Sequence, residues 1–307
     1  MIRYNELKND IKKIEEKQEE INQIKETILE KEDEKKIKEY EVYLMEQEKS
    51  LSTIRKYIQD IKRMYKYFEE KELSKILLIE WKKLLAESYS ASSVNTILAA
   101  ANGFLEYNGW VDLKIKPLKI QKNIFCDEKK ELSKNEYFRL IKTAEKLNNK
   151  RLSLIIQTIC ATGIRVSELS YITVEAVYKG KAEINNKGKR RIIFIPVKLC
   201  KILKIYIKRQ SISKGCIFIT KSGKPIDRSN IWREMKNLCE ESGVKSEKVF
   251  PHNLRHLFAK IYYSEEKDLS RLADILGHTN INTTRIYTME SGSVHLRQLD
   301  KMNLVIT

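Results

Sequence analysis

A chain of 307 residues, 42% hydrophobic and 33% charged, has enough apolar material for two domains of ordinary size and does not have the composition of a disordered polymer. Its formal net charge of +17 suits a polyanionic partner, nucleic acid being the usual one, and suits equally a soluble lysine-rich protein from an AT-rich genome. Five cysteines without C-x-x-C spacing, no continuous apolar N-terminal stretch and no apolar run of membrane-spanning length predict a reduced, cytoplasmic protein without disulfides, zinc or a membrane anchor.

Residues 1–38 predict one long helix with a narrow apolar seam. Leu7, Ile14, Ile21 and Ile28 recur every seven residues, and Ile11 fills the companion position once before Gln18 and Lys25 interrupt it. A weak coiled coil, a helix packed on the next domain and a solvated helix supported by pairs such as Glu32 with Lys36 all satisfy this pattern. Residues 1–40 hold 10 basic and 12 acidic side chains against 49 and 30 in the remainder, so the positive field belongs to the body of the protein.

Residues 39–115 predict a helical domain. Tyr43, Leu44, Ile54, Tyr57, Ile58, Ile61, Met64, Tyr65 and Phe68 give helical spacing across two segments, the second capped by Ser52 or Thr53. Further helices are expected from Leu73 to Ser88 and from Ser92 to Tyr107, where Asn108-Gly109 ends the run. Lys56, Lys62, Arg63 and Lys66 interleave with aromatics, a mixture that suits a DNA-facing surface, while the aromatics themselves read as core. Residues 116–131, rich in lysine and without a clear period, predict a linker.

Residues 132–307 predict a second domain, mainly helical with a small sheet. Ser133 and Glu136 have capping-box spacing and start a helix. Leu152 to Cys160 is an apolar helix ended by Thr162-Gly163, and a short helix follows near Val166. Ala182-Glu183-Ile184, a turn over residues 185–189 and a run from Arg191 to Pro196 predict a β-hairpin. Ile217-Phe218-Ile219 predicts another short strand, and the remainder reads as helix.

Cleaving a phosphodiester without a metal makes specific demands. Negative charge grows on the non-bridging oxygens, and the guanidinium fork of arginine matches two of them at once. A nucleophile must attack in line while an acid protonates the leaving oxygen. Residues of these types occur in order: Arg165 in Ala-Thr-Gly-Ile-Arg-Val-Ser-Glu-Leu, Lys187 at the hairpin turn, His252 and Arg255 in Pro-His-Asn-Leu-Arg-His, His278 after Leu276-Gly277, and Tyr287 nine residues later. Of the four histidines, His252, His256 and His278 all fall in these motifs, with His256 read as structural and His295 as a tail residue. Tyr287 is one of 15 tyrosines and stands out by context alone; with a phenol pKa of about 10, it needs nearby cations or a base to react at neutral pH.

From about residue 40 to the C-terminus the chain resembles the tyrosine recombinases of the phage integrase and Xer group. The A-T-G-I-R-V-S-E-L, H-x-L-R-H and L-G-H…I-Y-T strings carry the resemblance, and Ser90 to Trp110 is similar to the last helix of that family's core-binding domain. The resemblance implies a helical, SAM-like core-binding domain and a mixed α+β catalytic domain that clamp a duplex between them. It implies that Tyr287 forms a 3′-phosphotyrosyl link, Arg165 and Arg255 clamp the phosphate, His252 assists proton transfer and His278 hydrogen-bonds the phosphate. Glu168 supports the site from behind, and Lys187 protonates the leaving 5′-oxygen; Lys189, Arg190 and Arg191 lie beside it, and Lys187 is chosen because it precedes Gly188. Lys189 and Arg190 then join Lys56, Lys62, Arg63 and Lys66 as expected DNA contacts. The implied partners are double-stranded recombination sites, held by a homotetramer on two sites that is a monomer or dimer when free. No cofactor or metal is implied. An integrase of a mobile element is the expected function; a type IB topoisomerase-like enzyme and a non-catalytic DNA-binding protein are the alternatives. The N-terminal helix stands where an arm-binding domain would be expected, and after Tyr287 the residues Val294, Leu296, Leu299, Met302 and Leu304 suit a short apolar face.

Overall fold

The computed structural model describes residues 32–68, 73–120, 129–186, 189–287, 296 and 299–302. The heptad seam of residues 7–28, Lys187, Val294 and Leu304 lie outside them. The chain divides into two compact units, residues 1–122 and 123–307. Among the described residues no helix is long and apolar enough to cross a membrane.

Among the described residues the first unit contains helices and no strand. Helix α1 covers residues 32–46 and crosses the boundary expected at residue 38, placing Ile37, Tyr40 and Leu44 in the core. Gly103 explains how closely it packs: a Cβ there would lie 2.7 Å from the Tyr40 hydroxyl oxygen. Helix α2 (Leu51–Phe68) buries Ile54, Ile61, Met64 and Phe68, at the spacing expected. Its cap is Ser50, whose Oγ accepts from the Thr53 amide at 3.2 Å, rather than Ser52 or Thr53. Those two already lie within the first helical turn. Helix α3 (Lys75–Ser88) is capped by Ser74 and α4 (Ala91–Tyr107) by Ser90, each starting within two residues of expectation. The segment after α4 is pinned back onto it. Asn102 brackets the amide and carbonyl of Ile115, and Asn95 does the same for Leu118.

The second unit is built around α6 (Lys150–Thr162), which is buried on most sides and packs between α5 (Lys134–Lys146) and α11 (Pro251–Glu266). The capping box of α5 forms as expected, Glu136 accepting from the Ser133 amide while Ser133 accepts from Glu136. A 3-10 turn (Val166–Tyr171) and α7 (Val174–Lys179) lead to strands β1 (Lys181–Asn186) and β2 (Lys189–Phe194), paired antiparallel with Ile184 opposite Arg191. The strands reach further into the expected turn than residues 185–189 suggested. After α8 (Val197–Arg209), Ile217-Phe218-Ile219 is not a strand. Only isolated bridges, Thr173 with Cys216 and Ile219 with Pro225, form there, and proline has no N–H with which to extend a ladder. The chain continues through α9 (Arg228–Lys236), α10 (Cys239–Ser242), α11, α12 (Leu269–Leu276) and α13 (Asn282–Arg285).

Candidate active site

The site lies within the second unit, where two left-handed glycines bring separate helices together. Helix α6 ends on Gly163 (φ +64°) and α12 on Gly277 (φ +64°), conformations that a residue with a Cβ adopts only at a cost. A Cβ on Gly163 would meet the Phe258 ring at 2.5 Å, and one on Gly277 would meet Arg191 Cδ at 2.6 Å. Both glycines are therefore required by space as well as by conformation.

Arg255 projects from the first turns of α11 into this junction and is 2% exposed. It donates to the carbonyls of Gly163 and of Leu276, the latter at 2.7 Å, and to His278 Nε2 at 3.0 Å. Since a guanidinium can only donate, His278 Nε2 accepts. The neutral ring then carries its proton on Nδ1, which donates to Thr284 Oγ1 at 2.9 Å. Burial, reinforced by Arg165, pulls Arg255 down to about 10, against the opposing influence of the neighbouring Tyr287 hydroxyl.

Arg165 follows the Gly163 turn. Its amide and its Nη1 each donate to Glu168 at 3.0 Å, and its Nη2 donates to the Gly277 carbonyl at 3.2 Å. The Arg165 side chain is 40% exposed while Glu168 is buried, so the arginine faces outward on a hidden acid. That acid has a second partner: Arg191 of β2 donates to Glu168 Oε2, which also accepts the Arg165 amide while Oε1 takes Arg165 Nη1, and, at 3.1 Å, to the Ile275 carbonyl.

Tyr287, just after α13, is buried at 5% exposure. The His256 ring meets it edge-on with centroids 4.5 Å apart, and the His278 ring stacks beside it at 5.9 Å. His252, one turn earlier on α11 and exposed, contacts His256 at 4.8 Å. Arg165, Glu168, Arg255, His278 and Tyr287 are thus brought together, with His252 at the rim. Arg190 is exposed on β2; the side chain of Lys189 is outside the described residues, as is Lys187. In the first unit, Lys56 and Arg63 flank the buried carboxylate of Asp60, while Lys62 and Lys66 are exposed on α2.

One residue of this cluster has no distinguishing signal in the sequence, and another makes a contact that the sequence does not announce. In the sequence Arg191 is one of a basic run, whereas strand alternation puts it on the inner face with Ile193 and Ile195, while Ile192 and Phe194 face out. His256 packs edge-on against the Tyr287 ring, a contact compatible with the structural role expected of it. Among the described residues no group of three or more His, Cys, Asp or Glu converges as a metal site would.

Burial and the surrounding cations hold both His256 and His278 down to about 4. The unfolded chain titrates its histidines near 6.5, so between these values the unfolded state binds protons that the folded state does not. Stability is therefore full above about pH 6.5 and is lost as pH falls toward 4. In buffer without phosphate or sulfate, the melting temperature should fall across this window. His256→Phe, which keeps a ring against Tyr287, should flatten the fall; parallel curves for the two proteins would show that His256 is not held neutral.

Residues 130–292 match the Phage integrase family, and residues 37–110 match its Phage integrase, N-terminal SAM-like domain. A curated relative, tyrosine recombinase XerA of Pyrococcus furiosus, is 29% identical over 286 residues, covering 88% of this chain and 94% of that protein. Among solved structures, a lambda integrase fragment dimer bound to a COC′ core site has a TM-score of 0.68 at 17% identity, covering 84% of this chain and 96% of that one. A lambda integrase tetramer bound to a Holliday junction has a TM-score of 0.66 at 17% identity, covering 83% and 76%. At these identities the structural matches speak for the fold.

Proposed function

The chain belongs to the phage integrase family, with the tyrosine recombinase function of that family, and from this premise we propose that it is the integrase-type recombinase of a mobile element, with Tyr287 as its nucleophile. The observation that carries this reading is the meeting, inside one unit, of a hydroxyl nucleophile with two guanidiniums and a neutral imidazole.

The reaction is a phosphoryl exchange. Tyr287 Oη attacks the scissile phosphorus in line, the new O–P bond forming as the bond to the 5′-oxygen breaks. His252 takes part in removing the phenolic proton, and Lys187 supplies a proton to the departing 5′-oxygen. Arg165 and Arg255 take up the charge on the non-bridging oxygens, where fixed donors in a water-poor site are most effective. His278 holds Arg255 through Nε2 in the DNA-free protein; arrival of a phosphate anion favours a proton on that nitrogen, which then donates to the phosphate. The 5′-hydroxyl of a partner strand reverses the exchange. One phosphoester replaces another at each step, so neither ATP nor a divalent metal is needed. Recombination sites in duplex DNA are the substrate, and two of them are held by a homotetramer, in line with the assembly of the lambda integrase on its junction. Lysines dominate the backbone contacts, which makes affinity steeply salt-dependent.

The test is covalent trapping. The protein is incubated without metal on nicked suicide substrates drawn from DNA flanking its gene. A denaturant-resistant adduct that maps to the peptide containing Tyr287, together with a free 5′-hydroxyl, is expected. Tight, specific binding with no adduct would point to a non-catalytic DNA-binding protein. An adduct that relaxes supercoils but never joins two sites would point to topoisomerase-like activity.

A further inference from the structure

Arg191 presents a problem of charge that the proposed chemistry does not by itself require. Its side chain is only 13% exposed, so it is not placed to reach out to DNA as Arg165 is at 40%. It faces the interior of the unit because β2 alternates, sharing the inner parity of Ile193 and Ile195. A buried guanidinium needs partners, and Arg191 has two: the Glu168 carboxylate and the Ile275 carbonyl. Room for it exists only because residue 277 is glycine.

Glu168 is where the consequences converge. Its carboxylate also accepts from the Arg165 amide and side chain. With a single arginine as partner, a buried carboxylate would cancel the charge of that arginine, and Arg165 would offer a phosphate little more than an orientation. With Arg191 as a second partner, the acid is neutralised by a cation that stays hidden. The outward-facing cation then keeps its charge for the substrate. Arg165 is also fixed on its far side by the Gly277 carbonyl, the residue against which Arg191 packs.

We propose that Arg191 is a positioning residue of the cleavage site, which balances the charge of Glu168 so that Arg165 meets the scissile phosphate as a full, oriented cation. This rests on the proposed function and adds to it a residue that touches neither DNA nor the reacting atoms. It follows that loss of Arg191 matters in proportion to the negative charge on the scissile group, and that removing Glu168 at the same time repairs part of the damage.

The experiment measures single-turnover adduct formation on two substrates, one with an ordinary scissile phosphodiester and one with a methylphosphonate, which lacks one charged oxygen. Removing a direct oxyanion donor costs on the order of 10²–10³-fold, and an indirect effect should be smaller, so Arg191→Met should slow phosphodiester cleavage roughly 10- to 100-fold. On the methylphosphonate its deficit relative to wild type should largely disappear. Glu168→Gln combined with Arg191→Met should recover most of the phosphodiester rate, since the net charge of the cluster is then restored. Arg191→Lys, which keeps the charge but cannot span both acceptors, should retain clearly more of the rate than Arg191→Met. Melting curves accompany each variant. Equal losses on both substrates, with no recovery in the double variant, would overturn the inference and leave Arg191 a structural residue; so would a wild-type rate in Arg191→Met. A wild-type protein that forms no adduct would bring down the proposed function and this inference together, whereas wild-type cleavage with equal losses in Arg191→Met sinks the inference alone.

Discussion

Tyr287→Phe is expected to abolish the covalent adduct while leaving the fold and DNA affinity intact. The change removes one oxygen atom. The ring remains, and with it the edge contact to His256 and the stacking on His278, so the pocket is still filled. What disappears is the hydroxyl that bonds to phosphorus in the proposed reaction. The rate should fall by at least on the order of 10⁴-fold, as expected when a nucleophile is deleted from a site whose other parts are intact. Band-shift titration should give a wild-type dissociation constant, because phosphate contacts by lysines supply most of the affinity. An adduct that persists in this variant would mean that another of the 15 tyrosines attacks, and would remove Tyr287 from the mechanism.

The second large effect should come from Arg255→Met. Arg255 is the most enclosed cation of the site, and its hydrogen bonds hold the Gly163 turn, the end of α12 and His278 in one arrangement. Methionine fills a similar volume without a charge or a donor. Cleavage should slow about 10³-fold or more, the range seen when a charge-stabilising arginine or oxyanion donor is lost. Stability should also suffer, by roughly 1–3 kcal/mol for each buried carbonyl left without a donor. Arg255→Lys should recover part of the rate but not all, because an ammonium cannot span the same acceptors as a planar fork. Single-turnover rates of adduct formation, with melting curves alongside, separate the chemical loss from the structural one. A folded Arg255→Met protein that cleaves within tenfold of wild type would exclude Arg255 from the phosphate clamp.

Much of this architecture could be read locally. The Ser133–Glu136 box and the Thr162-Gly163 stop are short-range signals, and α5 begins and α6 ends where those signals lie. The catalytic strings were legible for a different reason: resemblance to a family, which no periodicity would have supplied. The misses have physical causes. Near α2 several hydroxyl residues compete for one cap, and it is Ser50 that accepts from the Thr53 amide. At Ile217–Ile219 an apolar run looked like a strand, yet Ile217 and Phe218 are both fully buried on an irregular segment whose neighbour at 225 is proline. Arg191 was hidden among like charges, and only its register opposite Ile184 distinguishes it from exposed Arg190. The contact of His256 with Tyr287 joins α11 to the residues after α13, a tertiary meeting that no local pattern announces.

Hydrogen bonds that seat Arg165, Arg191 and Arg255 end on the main-chain carbonyls of Gly163, Ile275, Leu276 and Gly277. A carbonyl of this kind survives any amino-acid replacement at its own position. Lineages descending from this protein can therefore exchange Ile275 or Leu276 for other apolar residues and still inherit the acceptors, because those acceptors are addressed by the path of the chain. The site is buffered against drift at Ile275 and Leu276 and intolerant at Gly163 and Gly277, where one added methyl group would displace the ring of Phe258 or the side chain of Arg191.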